Sequence, residues 1–224
     1  MPLEETLDIP VKDAVLKGNL HIPDHPKGMI IFSHGSGSSR LSPRNRLVAR
    51  ELQKYGFATL LFDLLTEEED RTYQHRFEIE MLTYRLSLVT QWLTRQKDYH
   101  NWNIGYFGAS TGAASALKAA TILGPEVIKA IVSRGGRPDL AMDDLNSVES
   151  PTLLLVGGLD TEVIMLNELA FNKLSCQKEM TVISGASHLF EESGKLEKVT
   201  EYARRWFMKY LFWQSTKVEK DYIE

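Results

Sequence analysis

The sequence predicts an α/β fold in which a mostly parallel central sheet carries helices on both faces. Short runs rich in β-branched and aromatic residues alternate with longer stretches in which apolar residues recur every three or four positions. Runs such as Met29–Ser33 are almost entirely apolar, as expected for strands buried on both faces. Two early runs, residues 6–11 and 15–22, are separated by little more than Asp13. We therefore expect antiparallel strands at the N-terminal edge of the sheet.

The same alternation continues to the end of the chain. Further strands are predicted at 29–33, 58–62, 104–107, 130–133, 153–156 and 180–183. Helices are predicted at 44–55, 75–95, 111–123, 162–174 and 195–213. The connection between the strands ending near Ser133 and starting near Thr152 leaves room for a turn or a brief helix and for no cap domain. We expect one domain over residues 1–224, an open site, and a frayed polar tail at 215–224.

Composition and charge exclude several classes of protein. The 224 residues carry 26 Lys and Arg against 30 Asp and Glu, a net charge of -4, and contain no basic run, so nucleic acid is not an expected partner. The N-terminal residues lack an apolar core, and no apolar run approaches the ~20 residues of a membrane helix. The single cysteine, Cys176, excludes an internal disulfide and is expected to be inert. We expect a cytoplasmic protein with no membrane partner, either a monomer or a homodimer.

The sharpest local pattern is Gly108-Ala109-Ser110-Thr111-Gly112, between an apolar strand and an alanine-rich helix. This context predicts a nucleophile elbow, in which the serine occupies a strained turn and the close approach of neighbouring chain excludes side chains at both glycines. The following helix points its N-terminal N–H groups at the site, which favours a developing anion. Ser110 is therefore the predicted nucleophile.

A serine nucleophile needs a general base that is oriented by an acid. Asp160 follows the predicted strand 153–156, and His188 lies in the loop after the next strand. The chain order Ser110, Asp160, His188 is one of the known serine-triad orders. Alternatives remain for two of these residues, because Asp160 is also a candidate helix N-cap and His188 a candidate solvated loop histidine. Asp63, after the strand 58–62, is a competing acid.

An oxyanion hole is predicted from two N–H groups. One is the amide of Thr111, and the other belongs to the loop that follows the strand 29–33, where Ser36 is favoured over Gly37. Gly37 is also a candidate substrate contact. His34 is expected to brace this loop by hydrogen bonding. Ser36 itself is a poor candidate nucleophile because no helix begins directly behind it.

Three arginines are candidate ligands for an anionic substrate group. Arg134 and Arg137 lie in Ser133-Arg-Gly-Gly-Arg-Pro-Asp139 at the end of a predicted strand, and Arg44 lies near the start of a predicted helix. The alternative is a structural turn in which the arginines pair with nearby carboxylates such as Asp139. The sequence favours neither interpretation over the other.

Four strings together resemble the dienelactone hydrolase-like branch of the α/β-hydrolase superfamily over nearly the whole chain. They are His34-Gly-Ser-Gly, Gly-Ala-Ser110-Thr-Gly, Val-Gly-Gly-Leu-Asp160 and Gly-Ala-Ser-His188-Leu-Phe. The resemblance implies an α/β-hydrolase fold and serine hydrolase chemistry, a mechanism that needs no metal or cofactor. The string from Ser133 to Leu140 is similar to a subgroup found alone or joined to phosphoribosyltransferase domains.

True dienelactone hydrolases carry cysteine in the elbow, where this chain has Ser110. A carboxylesterase that acts on small soluble esters is therefore the favoured function. A thioesterase or acyltransferase on the same scaffold is an alternative, and so is a catalytically silent hydrolase fold that acts as a binding module.

Overall fold

The computed structural model describes residues 2–212 of the chain. Its centre is an eight-stranded sheet with the order β1-β2-β4-β3-β5-β6-β7-β8. The strands are β1 (Leu3–Val11), β2 (Ala14–Ile22), β3 (Met29–Ser33), β4 (Ala58–Phe62), β5 (Ile104–Ala109), β6 (Ile128–Arg134), β7 (Thr152–Gly157) and β8 (Lys178–Ile183). Each predicted strand is present and begins and ends within three residues of its expected position. The predicted tail at 215–224 and the end of the last predicted helix at Trp213 lie outside the described residues.

The predicted division of the sheet is also confirmed. β1 and β2 pair antiparallel through a tight turn that places Val11 opposite Ala14, and β2 pairs antiparallel with β4. From β4 onward the pairs are parallel. Parallel strands end at a common edge, so the loops after β3 to β8 meet there.

Helices cover both faces of the sheet and bury two apolar layers. They are α1 (Pro43–Lys54), α2 (Glu67–Asp70), α3 (Ile79–Thr94), α4 (Thr111–Leu123), α5 (Thr161–Lys173) and α6 (Lys195–Tyr210). Residues of α3, α4 and α5 pack on one face, and residues of α1 and α6 pack on the other. The strand β3 is buried throughout because its side chains alternate between these two layers.

The prediction of one continuous helix over 75–95 is wrong at its start. A 3₁₀ turn spans Tyr73–Phe77, and α3 begins only at Ile79 after Glu78 leaves the helical region with ψ 78. The preceding segment is held instead to the unpredicted helix α2, which Thr66 and Glu69 close with a capping box. Polar contacts of His75 with the Glu69 carbonyl and of Arg76 with Asp70 hold this segment in another conformation.

The connection between β6 and β7 is short, as predicted. It contains only two 3₁₀ turns, Pro138–Ala141 and Leu145–Ser147, and within the described residues no cap covers the edge where the strands end. In the same part of the chain, none of the helices combines the length and apolarity needed to cross a membrane.

Candidate active site

The turn between β5 and α4 has the geometry of a nucleophile elbow. Ser110 adopts φ 51 and ψ -123, a strained conformation for a residue with a side chain. A Cβ on Gly112 would lie 2.2 Å from the Ser33 carbonyl oxygen, and one on Gly108 would lie 2.5 Å from Ala113 Cα. Both contacts are with backbone that cannot move aside cheaply. The two glycines are therefore required by close approach, as the sequence pattern predicted.

The elbow is tied to the end of β6 by main-chain hydrogen bonds. The Ser110 N–H donates to the Arg134 carbonyl at 3.2 Å, and the Ser110 carbonyl accepts from the Arg137 N–H at 3.1 Å. The Ser110 side chain is only half-buried, and its hydroxyl makes no hydrogen bond to any residue that the structure describes. The Ser110 side chain is thus reachable from solvent, and its backbone is held in place.

The side chains of His188 and Asp160 form a direct hydrogen bond. The His188 Nδ1 lies 2.6 Å from Asp160 Oδ2, and the two side chains are 38% and 16% exposed. Asp160 stands at the N-cap position of α5, yet its side chain makes no capping hydrogen bond. The carboxylate therefore serves the imidazole, and with the proton on Nδ1 the other ring nitrogen, Nε2, is a proton acceptor.

The His188 imidazole and the elbow both lie at the end of β6, where Gly135 is close to His188. A Cβ on Gly135 would lie 3.6 Å from His188 Cε1 and 3.1 Å from the His188 carbonyl oxygen. Gly135 directly follows Arg134, whose carbonyl accepts the Ser110 N–H. Ser110 and His188 share no hydrogen bond in the described chain, and such contacts often close only when substrate binds.

The loop that carries His188 is fastened on both sides of the histidine. Before it, the Ser187 N–H donates to the Glu192 carboxylate at 3.2 and 3.1 Å. Hydrogen bonding by the Ser187 side chain, and then by backbone N–H groups, lowers the pKa of Glu192. After it, Glu191 pairs with Arg44 of α1 at 2.7 Å. Neither carboxylate was singled out in the sequence, because their partners become neighbours only through the fold.

His34 braces the loop after β3, as expected. Its Nε2 accepts the Leu64 N–H at 3.1 Å, and its Nδ1 lies 3.0 Å from the Gly35 carbonyl oxygen. This pattern requires a neutral ring with its proton on Nδ1. Burial lowers the pKa of His34, which keeps the ring in that state.

The two predicted oxyanion donors are neighbours, but one already has an acceptor. The Ser36 N–H donates to Thr111 Oγ1 at 2.9 Å. The next residue, Gly37, is exposed with φ 67 and forms part of a turn closed by a hydrogen bond from the Ser38 N–H to the Gly35 carbonyl. The sequence pointed to the Thr111 amide and gave no reason to consider its hydroxyl.

The arginines differ in their surroundings. Arg137 pairs through two nitrogens with Asp139 at 2.8 Å, which is the structural alternative raised by the sequence. Arg134 is buried and donates from Nη2 to Asn45 Oδ1 at 3.1 Å, while its Nε is buried without an acceptor. Burial, and then the charge of Arg44, lower the pKa of Arg134 to about 10. No carboxylate among the described residues pairs with it.

Asp63 has another partner, and the Cys176 thiol is not activated. Asp63 accepts the Arg40 N–H at 2.7 Å and also pairs with the Arg40 guanidinium, so it does not reach the imidazole. Burial raises the pKa of the Cys176 thiol, which disfavours the reactive thiolate.

The parallel sheet, the open edge and the strand-turn-helix elbow define an α/β-hydrolase fold. The pattern of the Dienelactone hydrolase family matches residues 16–213. The chain belongs to this family of hydrolases.

The chain is also similar to solved structures. The dienelactone hydrolase from Anabaena variabilis is 51% identical, with a TM-score of 0.91, over 94% of this chain and 99% of that one. The Pyrococcus furiosus esterase Pf2001 is 17% identical with a TM-score of 0.75 over 93% and 92% of the two chains, a likeness of fold alone.

A curated relative from Mycobacterium tuberculosis H37Rv, named "Putative phosphoribosyl transferase Rv0571c", is 51% identical over 209 residues. That match covers 93% of this chain and 47% of the relative. The chain therefore spans about half the length of the curated relatives it matches.

Proposed function

We propose that this protein is a serine carboxylesterase that cleaves small carboxylic esters through an acyl-enzyme on Ser110. The observation that supports this best is the 2.6 Å contact between His188 Nδ1 and Asp160, at the same sheet edge as the strained Ser110 elbow. The name of the mycobacterial relatives concerns proteins about twice as long as this chain. The elbow and the His188–Asp160 pair favour acyl transfer as the chemistry of this chain.

The proposed reaction has two steps. Ser110 Oγ attacks the ester carbonyl carbon while His188 Nε2 takes its proton, and Asp160 stabilises the imidazolium. His188 then protonates the leaving alcohol, which departs and leaves the acyl group on Ser110. A water molecule repeats the attack with His188 as base, and Ser110 recovers its proton as the acid leaves. No metal or cofactor takes part in these steps.

The surroundings of the elbow favour a short acyl group and an anionic substituent. With no cap over the edge in the described chain, little apolar surface is available to enclose a long chain. Arg134 has donor capacity that its single hydrogen bond to Asn45 does not use, and Arg44 lies close enough to affect its pKa. We propose these two arginines as contacts for the anionic group. Arg44 gives only Nη1 to Glu191 and keeps a buried Nε without an acceptor, whereas Asp139 takes two nitrogens of Arg137.

The proposal is tested with p-nitrophenyl acetate and a fluorophosphonate label. Wild-type protein should hydrolyse the ester and take up the label, whereas Ser110→Ala should lose several orders of magnitude in rate and all labelling. Ser36→Ala is the matched control, because it removes a nearby hydroxyl and leaves the backbone amides in place. It should remain active.

Three outcomes would contradict the proposal or redirect it. Wild-type activity in Ser110→Ala would exclude the elbow serine as nucleophile. A wild-type protein that neither reacts with the label nor turns over esters would favour a silent binding module. Faster transfer from acyl thioesters, or to alcohols in preference to water, would favour the thioesterase or acyltransferase alternative.

A further inference from the structure

The amide expected to supply half of the oxyanion hole already has a partner. The Ser36 N–H donates to Thr111 Oγ1 at 2.9 Å, and a backbone amide carries one hydrogen. A substrate oxygen that needs this N–H must first displace the threonine hydroxyl. The alternative is that the hydroxyl itself faces the substrate.

The Thr111 hydroxyl has an unused proton. A hydroxyl accepts and donates at the same time, and here it accepts from Ser36, while none of the described residues accepts its proton. Thr111 is buried, with 4% of its surface exposed, so bulk water does not readily take that role. A buried donor whose proton has no acceptor is uncommon in folded proteins and calls for an explanation.

Thr111 also offers a second donor close to Ser110 in the chain. Thr111 directly follows Ser110 and is the first residue of α4, so its N–H has no carbonyl partner inside the helix. An anion at this helix end can accept from the amide and the hydroxyl of the same residue. The turn that presents Ser36 is pressed against the elbow, because a Cβ on Gly35 would lie 2.9 Å from Ser110 Cβ.

We propose that the Thr111 hydroxyl is a catalytic donor to the oxyanion, which would give Thr111 two of the donors in the hole. This inference rests on the proposed esterase function. Ser36 is then a positioning residue: its N–H orients the Thr111 oxygen and polarises the O–H bond, which strengthens the hydroxyl as a donor. When the tetrahedral intermediate forms on Ser110, its negative oxygen accepts the O–H and the N–H of Thr111 together.

The test compares Thr111→Val with Thr111→Ser on p-nitrophenyl acetate. Valine keeps the shape and the backbone amide and removes only the oxygen, so kcat should fall by roughly 10²–10³, the usual loss for one oxyanion donor, with KM little changed. Serine restores the hydroxyl and should recover most of the activity. The affinity of a trifluoromethyl ketone, which forms a tetrahedral adduct, should fall in the valine variant by a similar factor.

Several results would overturn the inference. A valine variant as fast as wild type, or faster, would mean that the hydroxyl blocks the Ser36 amide, which is then the direct donor. Equal losses in the valine and serine variants would indicate a purely structural role. If valine prevents folding, Thr111→Ala replaces it with the same expectation. Failure of the function itself is recognised separately, because the wild type would then be inactive or insensitive to Ser110→Ala.

Discussion

The Asp160→Asn substitution tests the proposed acid most directly, since it keeps the side-chain volume and removes the charge. With 2.6 Å between Nδ1 and Oδ2, the centres of the two charges lie about 4 Å apart. At that separation an ion pair is worth about 4 kcal/mol at an effective dielectric constant of ~20, and partial exposure of His188 reduces this to ~3 kcal/mol. Losing it slows the reaction by about 10²-fold.

A second effect adds to this loss. An asparagine amide can donate to Nδ1, which would move the ring proton to Nε2, the atom that must accept the Ser110 proton. The comparable change in a well-studied serine triad costs about 10⁴ in kcat. We therefore expect Asp160→Asn to lower kcat by roughly 10³–10⁴ with little change in KM.

The matched control for this experiment is Asp63→Asn, because Asp63 also follows a central strand but pairs with Arg40. It should keep kcat within a few-fold of wild type. Both variants are assayed side by side on one short ester near neutral pH, and their thermal unfolding confirms that the fold survives. A collapse of activity in Asp63→Asn with Asp160→Asn nearly unaffected would assign the acid to the end of β4 and refute the reasoning.

Three further predictions concern substrate and pH. Short p-nitrophenyl esters should have higher kcat/KM than long ones, and a clear optimum at long acyl chains would argue against the open edge. Arg134→Met should lower kcat/KM about tenfold or more for an ester with an anionic substituent and far less for a neutral one, and an equal loss for both would remove Arg134 from the substrate site. Because burial lowers the pKa of His34, only the unfolded chain gains a proton there as the pH falls below about 6.5. The contribution to stability is present in full above that pH and is lost as the pH falls below it, by up to ~1.4 kcal/mol per pH unit. Urea unfolding of His34→Gln should show a shallower loss than wild type.

Features that depend on neighbouring residues in the chain could be predicted from the sequence. The elbow is one, because strand, strained serine, close-packed glycines and helix all lie within Ile104–Ala109 and Thr111–Leu123. The parallel topology predicts how Asp160 and His188 come together, because side chains that follow the ends of β7 and β8 must meet at one edge of the sheet. Asp160 and His188 could therefore be placed together without knowledge of any contact between them.

Features that depend on the direction of a side chain could not be predicted. The sequence identified Arg134 and Arg137 as equivalent arginines of one turn, yet one is buried against Asn45 and the other is paired with Asp139. Strand alternation turns Arg134 towards the layer beneath α1 and α6, where Val132 also lies. The hydrogen bond from the Ser36 N–H to Thr111 Oγ1 likewise depends on how two loops meet, and no sequence pattern within either loop predicts that.

Burial of the Arg134 guanidinium is unfavourable in free energy, and the need to fill space in the core does not account for it. A guanidinium removed from water without a carboxylate loses several kcal/mol of hydration, and one neutral amide oxygen from Asn45 offsets only part of this. A methionine at the same place would fill similar space without that cost. The positive charge of Arg44 also repels the Arg134 guanidinium. The backbone carbonyl of Arg134 accepts the Ser110 N–H. A guanidinium kept in a buried position without a carboxylate is the arrangement expected when a bound anion supplies the missing partner, which is the role proposed for Arg134 as a substrate contact.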